Sequence, residues 1–149
     1  MAQWHPHKTV ATVVEHDGRF LMVEELIKGE LVLNQPAGHL EANESLAQAA
    51  IRETLEETAW EVELTSFLGL YQQSNSVENI TYIRSCFIAK ALREVPGREL
   101  DTDIVRALWL TREELEARKA HMRSTVVLRV IDDYLQGKAY PLDVVQTLD

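Results

Sequence analysis

The chain of 149 residues carries 24 acidic side chains against 15 lysines and arginines, which gives a formal net charge of −9. A hydrophobic fraction of 46% and a charged fraction of 26% are typical of globular proteins and exclude fibrous or disordered classes. Because nucleic acids bind basic surfaces, this acidity argues against a nucleic-acid partner, whereas a divalent cation can still bridge acidic side chains to a small anionic substrate.

The length suits a single domain over residues 1–149. No hydrophobic run approaches the roughly 18 residues that a membrane span requires, and the first seven residues lack a secretion signal pattern. Cys86 is the only cysteine, so an intrachain disulfide is excluded. We expect a cytoplasmic protein without membrane attachment, present as a monomer or small homo-oligomer.

Hydrophobic periodicity and turn residues predict the secondary structure in chain order. Lys8 to Val14 is rich in β-branched residues and is followed by the turn dipeptide Asp17-Gly18. Further strands are predicted over 20–24, 31–33, 62–71, 80–89 and 104–110, and helices over 45–58, 111–119 and 124–135. The segments 37–43, 72–79 and 93–103 are predicted loops. Strands mixed with a central helix and two late helices predict an α/β sandwich with a mixed sheet.

The central helix carries three acidic residues on one face. Glu53, Glu56 and Glu57 are three and four positions apart, so on a helix they lie within roughly 100° of one another. Like charges at this spacing destabilise a helix by a few tenths of a kcal/mol per pair. A solvated acidic face is the simple explanation, but Mg²⁺, which prefers hard oxygen ligands, would remove the repulsion.

The order of residues around this helix resembles the Nudix box, G-x5-E-x7-R-E-U-x-E-E-x-G-U, in which U is a bulky aliphatic residue. Six of its seven fixed positions are occupied, a match expected by chance on the order of 10⁻⁷ per starting point. The matching residues are Gly38, Glu44, Arg52, Glu53, Glu56 and Glu57. The chain departs at Ala59, which replaces the final glycine, and at Thr54 and Trp60, which replace aliphatic residues.

This resemblance implies an α/β/α sandwich with a loop–helix–loop motif that binds Mg²⁺, with Mn²⁺ as the alternative. By the resemblance, Glu53, Glu56 and Glu57 are metal ligands. Family members differ over whether the residue at the Glu53 position is a ligand, a general base or both. Arg52 would orient the glutamates, with Glu44 as a structural member of the motif. Gly38 would allow the backbone to approach the metal.

Two further ligands are implied by the same resemblance. Ala37 would offer a backbone carbonyl, and the loop before the strand that contains Trp109 would offer an acidic side chain. In that loop Asp103 is the first candidate and Asp101 the second.

Substrate-binding residues are predicted from polar and aromatic positions beside the motif and at strand ends. Asn34 and Gln35 precede the motif loop, while Tyr82 and Arg84 alternate along a predicted strand. A ring-containing ligand needs an aromatic wall and a few polar groups, and arginine suits phosphate. Each of these residues can equally be an ordinary structural residue.

The flanks 34–41 and 137–142 resemble a phosphatase subgroup of the family that acts on hydroxymethylpyrimidine diphosphate, a thiamine precursor, and on nucleoside di- and triphosphates. We therefore predict a metal-dependent hydrolase acting on a small phosphorylated metabolite. The alternatives are an ADP-ribose or nucleotide-sugar pyrophosphatase and a non-catalytic nucleotide-sensing module. An RNA-end hydrolase is disfavoured by the net charge of −9.

Overall fold

A computed structural model describes residues 2–148 of the chain. Within this range seven strands form one sheet, and three α-helices and two short 3-10 helices accompany it. The main elements are β1 (His7–His16), β2 (Arg19–Ile27), β3 (Glu30–Asn34), β4 (Ala37–His39), α1 (Leu46–Thr58), β5 (Trp60–Asn75), β6 (Ile80–Glu94), β7 (Ile104–Thr111), α2 (Arg112–Ala117) and α3 (Val126–Leu135).

The sheet is mixed, as the sequence predicts. Its strand order is β3-β2-β1-β6-β5, with β4 paired to β1 and β7 paired to β2. β1 and β6 run parallel from the pair His7–Tyr82 to the pair Val14–Ala89, and the other pairs of strands are antiparallel. The parallel pair brings the beginnings of β1 and β6 to the same end of the molecule, next to β4.

Helices cover both faces of this sheet. Alternate residues of β1 point to opposite sides: Val10 packs with Ala49 of α1, while Ala11 packs in a cluster that contains Val130 and Ile131 of α3. The α/β/α sandwich predicted from the sequence is confirmed. None of the helices within residues 2–148 is long and apolar enough to cross a membrane.

Helix α1 begins and ends through local interactions. Ser45 is its N-cap and forms a reciprocal capping box with Gln48. The helix ends at Ala59, whose φ of 65° and ψ of 14° are left-handed and whose N–H donates to the Leu55 carbonyl. An alanine therefore adopts the conformation for which the motif normally supplies glycine.

Three loops are shorter in the structure than the sequence predicts. Residues 37–39 form strand β4, because they pair with Thr9 to Ala11 of β1. The polar residues Gln72 to Asn75 extend β5, because they pair with residues 80–83 of β6. Strand β6 likewise continues to Glu94 opposite Trp60. Strand partners, which local composition does not reveal, decide these boundaries.

Replacing Ala59 by glycine should stabilise the protein. A β-carbon in the left-handed conformation costs roughly 1 kcal/mol, so Ala59→Gly should raise the melting temperature by about 2–4 °C. Ala47→Gly, inside the right-handed part of α1, is the matched control and should lower stability by up to roughly 1 kcal/mol. Thermal unfolding of both variants tests this, and a melting temperature for Ala59→Gly below that of the unchanged protein would contradict it.

Candidate metal and substrate site

A cleft of about 810 Å³ opens where the motif loop, the β2–β3 hairpin and the loop before β7 meet. Seven acidic side chains line it against two arginines, so an anionic ligand needs additional positive charge in order to bind. The acidic residues are Glu25, Glu41, Glu53, Glu57, Glu78, Asp101 and Asp103, and the arginines are Arg84 and Arg123.

Arg52 holds the acidic residues of the motif together. Its Nε and Nη2 donate to the two carboxylate oxygens of Glu44 at 2.6 and 3.0 Å, a bidentate arrangement. The pKa of Glu44 is lowered chiefly by this contact. Nη2 also donates to the carbonyl oxygen of His39 at 3.1 Å, which ties the motif loop to the helix. Arg52 thus fixes the loop and the helix as one unit.

The same guanidinium orients two predicted metal ligands. Its Nη1 donates to Glu53 Oε1 at 2.8 Å and to Glu56 Oε2 at 3.1 Å. The pKa of Glu53 is nevertheless raised, because burial outweighs the contact with Arg52, and Glu56 and Asp101 add repulsion. The expected positioning role of Arg52 agrees with this geometry.

The acidic group that would complete a metal site comes from the loop before β7. One carboxylate oxygen from each of Glu53, Glu56 and Asp101 lies within 4.8 Å of the others. The backbone N–H of Asp101 donates to the Glu56 carbonyl at 3.1 Å, which holds the loop against the end of α1. Three converging carboxylates are the ligand chemistry that Mg²⁺ and Mn²⁺ prefer, so the residues fit a divalent cation.

Asp103, the first candidate in the sequence analysis, lies elsewhere in the cleft. It lines the wall and its carbonyl accepts from Leu26 N–H at 3.1 Å, but it is not part of the carboxylate group that Asp101 completes. Geometry thus favours Asp101 over Asp103 as the acidic ligand from this loop. The two candidates are separated only by Thr102 in the same loop, so the sequence alone does not decide which of them faces the other carboxylates.

Glu57 lies deeper than its two partners on the helix. Its side chain is 7% exposed, and its Oε1 accepts the backbone N–H of Ala37 at 2.8 Å. Burial raises the pKa of Glu57 to about 9, and the acidic residues Glu25, Glu53 and Asp101 add to the effect. Ala37 therefore contacts this carboxylate through its N–H. The metal-binding role predicted for its carbonyl oxygen stays a prediction.

Gly38 is required by the close approach of Glu53. A β-carbon at position 38 would overlap the Glu53 carboxylate group. The absence of a side chain at this one position lets the carboxylate lie directly against the loop backbone. The motif glycine and the motif glutamate are thus two parts of one contact.

Glu25 was not predicted, although it lines the same cleft. Burial raises its pKa, and the nearby Arg123, Arg84 and Asn34 offset part of this increase. It follows Glu24 in β2, and a bulge between the two residues changes the pairing with β7. The only sequence signal was a pair of glutamates at a strand end, which surface residues show equally often.

Arg84 lies in the cleft wall with 9% of its surface exposed. Its Nη1 donates to Gln35 Oε1 at 2.9 Å and its Nη2 to Asn34 Oδ1 at 3.1 Å. Gln35 is fully buried and its Nε2 donates to the Val127 carbonyl at 2.6 Å. Both ends of the Gln35 amide are therefore occupied, so Gln35 positions Arg84 and is not exposed to a ligand.

Aromatic side chains form the rim beside Arg84. Tyr82 and Tyr71 line the cleft, and Tyr71 donates its hydroxyl to the buried Asp133 at 2.6 Å. The ring of His7 lies 5.4 Å from Tyr82 and 5.5 Å from His39, edge-on to both. The structure thus brings three of the four predicted substrate-binding residues, Asn34, Tyr82 and Arg84, to the surface of one cleft.

The buried carboxylate of Glu57 predicts a pH dependence of stability. Its pKa is about 9 in the folded protein against roughly 4.5 when unfolded. The folded state therefore binds more protons between these values, and stability falls as pH rises from 4.5 to 9. In EDTA, Glu57→Gln should be more stable than the unchanged protein by a few kcal/mol at pH 9 and by little at pH 5.

Urea denaturation at pH 5, 7 and 9 measures this difference. The control is Glu63→Gln, which changes an exposed carboxylate of β5 and should show no such trend. A stability difference for Glu57→Gln that stays constant or shrinks as pH rises would contradict the prediction.

Comparison with known proteins agrees with this geometry. The NUDIX domain family matches residues 5–130. The phosphatase NudJ of Escherichia coli K12 is 38% identical over 140 residues, which cover 94% of this chain and 90% of the relative. NudJ of Shigella boydii shows the same identity and coverage.

Solved structures give the same result. A NUDIX hydrolase from Nitrosomonas europaea superimposes with a TM-score of 0.94 at 43% identity and covers 97% of this chain and 98% of its own. A UDP-X diphosphatase shares the fold alone, with a TM-score of 0.73 at 18% identity over 94% of this chain and 68% of its own. The motif, the fold and the relatives together establish that the chain belongs to the Nudix family and is a hydrolase similar to the NudJ phosphatases.

Proposed function

We propose that the protein is a Mg²⁺-dependent phosphatase, with Mn²⁺ as a substitute, that removes phosphate from small organic di- and triphosphates in the cytoplasm. Hydroxymethylpyrimidine diphosphate and nucleoside di- and triphosphates are the proposed substrates. The support is 38% identity to proteins named as phosphatases over 94% of the chain.

The observation that carries this proposal is the convergence of Glu53, Glu56 and Asp101 within 4.8 Å in a cleft that also contains Arg84. Carboxylates alone repel a diphosphate, so this arrangement is productive only with a cation between the protein and the substrate. Arginine on another wall of the same cleft suits a phosphate group. A carboxylate cluster and a buried arginine in one cleft fit a phosphoric anhydride as substrate.

The groups of the site have separate roles in the proposed reaction. A bound divalent cation supplies a Lewis acid that neutralises the charge of the diphosphate. Glu53 accepts the proton from the attacking water, since burial raises its pKa and makes it a stronger base. Arg52 holds Glu53 and Glu56 in place through Nη1. The water oxygen bonds to the terminal phosphorus and the bond to the bridging oxygen breaks. The organic monophosphate, or the organic diphosphate in the case of a triphosphate substrate, leaves with that electron pair.

The decisive experiment measures phosphate and pyrophosphate release with Mg²⁺ from hydroxymethylpyrimidine diphosphate, nucleoside di- and triphosphates, ADP-ribose and a nucleotide sugar. Inorganic phosphate from the first two classes is the expected result. Activity restricted to ADP-ribose or the nucleotide sugar, with two monophosphate products, would replace the phosphatase by a pyrophosphatase. No turnover of any of these compounds would reject the proposal in favour of a nucleotide-sensing module.

Removal of the Glu53 or the Glu57 carboxylate should abolish most turnover. Glu57→Gln and Glu53→Gln keep the shape of the side chain but lose its charge, and each should lower kcat by roughly 100-fold or more. Circular dichroism should show that both variants remain folded, and Glu63→Gln is the control with unchanged kcat. If Glu57→Gln keeps nearly full activity in Mg²⁺, Glu57 does not belong to the metal site.

Gly38→Ala should separate activity from stability. The added β-carbon displaces the Glu53 carboxylate, so we expect a loss of kcat/KM of roughly 100-fold, as for loss of a general base. The matched control is Gly18→Ala, at a turn glycine with φ of 78° and open space around it. That variant should lose roughly 1 kcal/mol of stability and keep its kcat/KM. Steady-state kinetics and urea denaturation of the pair distinguish the two effects, and full activity of Gly38→Ala would refute the close-contact argument.

A further inference from the structure

Arg84 is a buried cation whose hydrogen-bond partners are neutral. It lies in the middle of the sheet, opposite Thr9 of β1 on one side and Tyr71 of β5 on the other. Its Nη1 and Nη2 donate to the side-chain amides of Gln35 and Asn34. Among residues 2–148, no carboxylate forms an ion pair with it. The hydrogen bonds orient the guanidinium, but they bring no opposite charge into contact with it.

Asn34 places a neutral amide next to Arg84. Its Oδ1 accepts from Arg84 Nη2 at 3.1 Å. Because Asn34 carries no charge, it orients the guanidinium without neutralising it. An aspartate of nearly the same shape at this position would form an ion pair with Arg84. Burying an unpaired charge is unfavourable, so a ligand that brings an anion to Arg84 removes a cost present in the free protein.

Two further features add positive charge to the cleft that contains Arg84. Arg123 and Ser124 line the cleft just before α3, whose first turn begins at Val126. The N-cap Thr125 makes no side-chain capping bond, and its hydroxyl accepts instead from Gln73 Nε2 at 3.0 Å. The N–H groups of the first turn and the helix dipole therefore add partial positive charge to the same cleft.

We propose that Arg84, held by Asn34 and Gln35, binds the free terminal phosphate of the substrate and selects such substrates over those whose diphosphate is esterified at both ends. This inference rests on the proposed phosphatase function. A terminal phosphate monoester carries a charge of about −1.5 to −2 at neutral pH, whereas an esterified phosphate carries a single negative charge. The additional negative charge of the terminal group is complementary to Arg84 and Arg123, which both line the cleft.

The matched substrates are ADP and its methyl ester on the terminal phosphate, which differ in one charge and one methyl group. Their kcat/KM values are compared for the unchanged protein, Arg84→Gln and Asn34→Asp. Asn34→Asp is the sharper variant, because it leaves Arg84 in place and pairs its charge. Arg93→Gln, at an exposed arginine of the same strand that pairs with Glu61, controls for the loss of one positive charge.

The unchanged protein and Arg93→Gln should prefer ADP over its methyl ester by roughly 100-fold, as expected for a buried charge pair. In Arg84→Gln and Asn34→Asp this preference should fall to within about threefold, mainly through weaker turnover of ADP. Any general damage to the site acts on both substrates and cancels in the ratio. An unchanged ratio in either variant, or a preference of the unchanged protein for the ester, would overturn the proposal.

Equilibrium binding separates this inference from the proposed function. Dissociation constants of ADP and the methyl ester are measured by calorimetry in Mg²⁺ on a Glu53→Gln background, with and without Asn34→Asp. Tighter binding of ADP that Asn34→Asp removes supports the role of Arg84 even if no substrate is hydrolysed. Equal affinities for the two nucleotides, or no binding of either, would overturn the inference whatever the outcome of the activity assays.

Discussion

Negative charge concentrated between the motif loop and helix α1 is the constraint on which the rest of the site depends. Glu44, Glu53 and Glu56 would repel one another without Arg52, which contacts all three and also the carbonyl of His39. Such a network leaves the carboxylates close together and fixed in direction. One guanidinium cannot neutralise three carboxylates, so negative charge remains available to bind a cation. The loop and the helix that carry these carboxylates are held in fixed relative positions by the same hydrogen bonds.

The same principle explains why groups of both charges line one cleft. Acidic groups from α1, β2 and the loop before β7 line it together with Arg84, Arg123 and the beginning of α3. If these charges paired directly, they would neutralise each other and leave nothing to bind a metal or a phosphate. Neutral amides at Asn34 and Gln35 prevent that pairing while still satisfying the donors of Arg84. The polar side chains next to the charged ones thus preserve the binding capacity of the site.

Two departures from the family motif lie at the end of α1 and one lies within it. Ala59 adopts the left-handed conformation, and its carbonyl accepts from Val95 N–H at 2.7 Å. Trp60 packs edge-on against Trp109 with ring centroids 5.4 Å apart. Thr54, inside the helix, shares a hydrogen bond of 2.8 Å with Thr12 of β1. These contacts attach the second half of α1 and its end to neighbouring strands.

Local chemistry determined a large part of this protein directly from the sequence. Helical periodicity and the order of the motif residues act over a few positions, so they predicted α1 and its acidic face. The resemblance that they carried predicted the α/β/α sandwich. Other features depend on residues far apart in the chain. The choice between Asp101 and Asp103, the entry of Glu25 into the cleft and the burial of Gln35 between Arg84 and Val127 follow from the packing of loops and strands separated by tens of residues. Only the tertiary structure decided these, because the distance between two side chains in the folded protein is not encoded in their local surroundings.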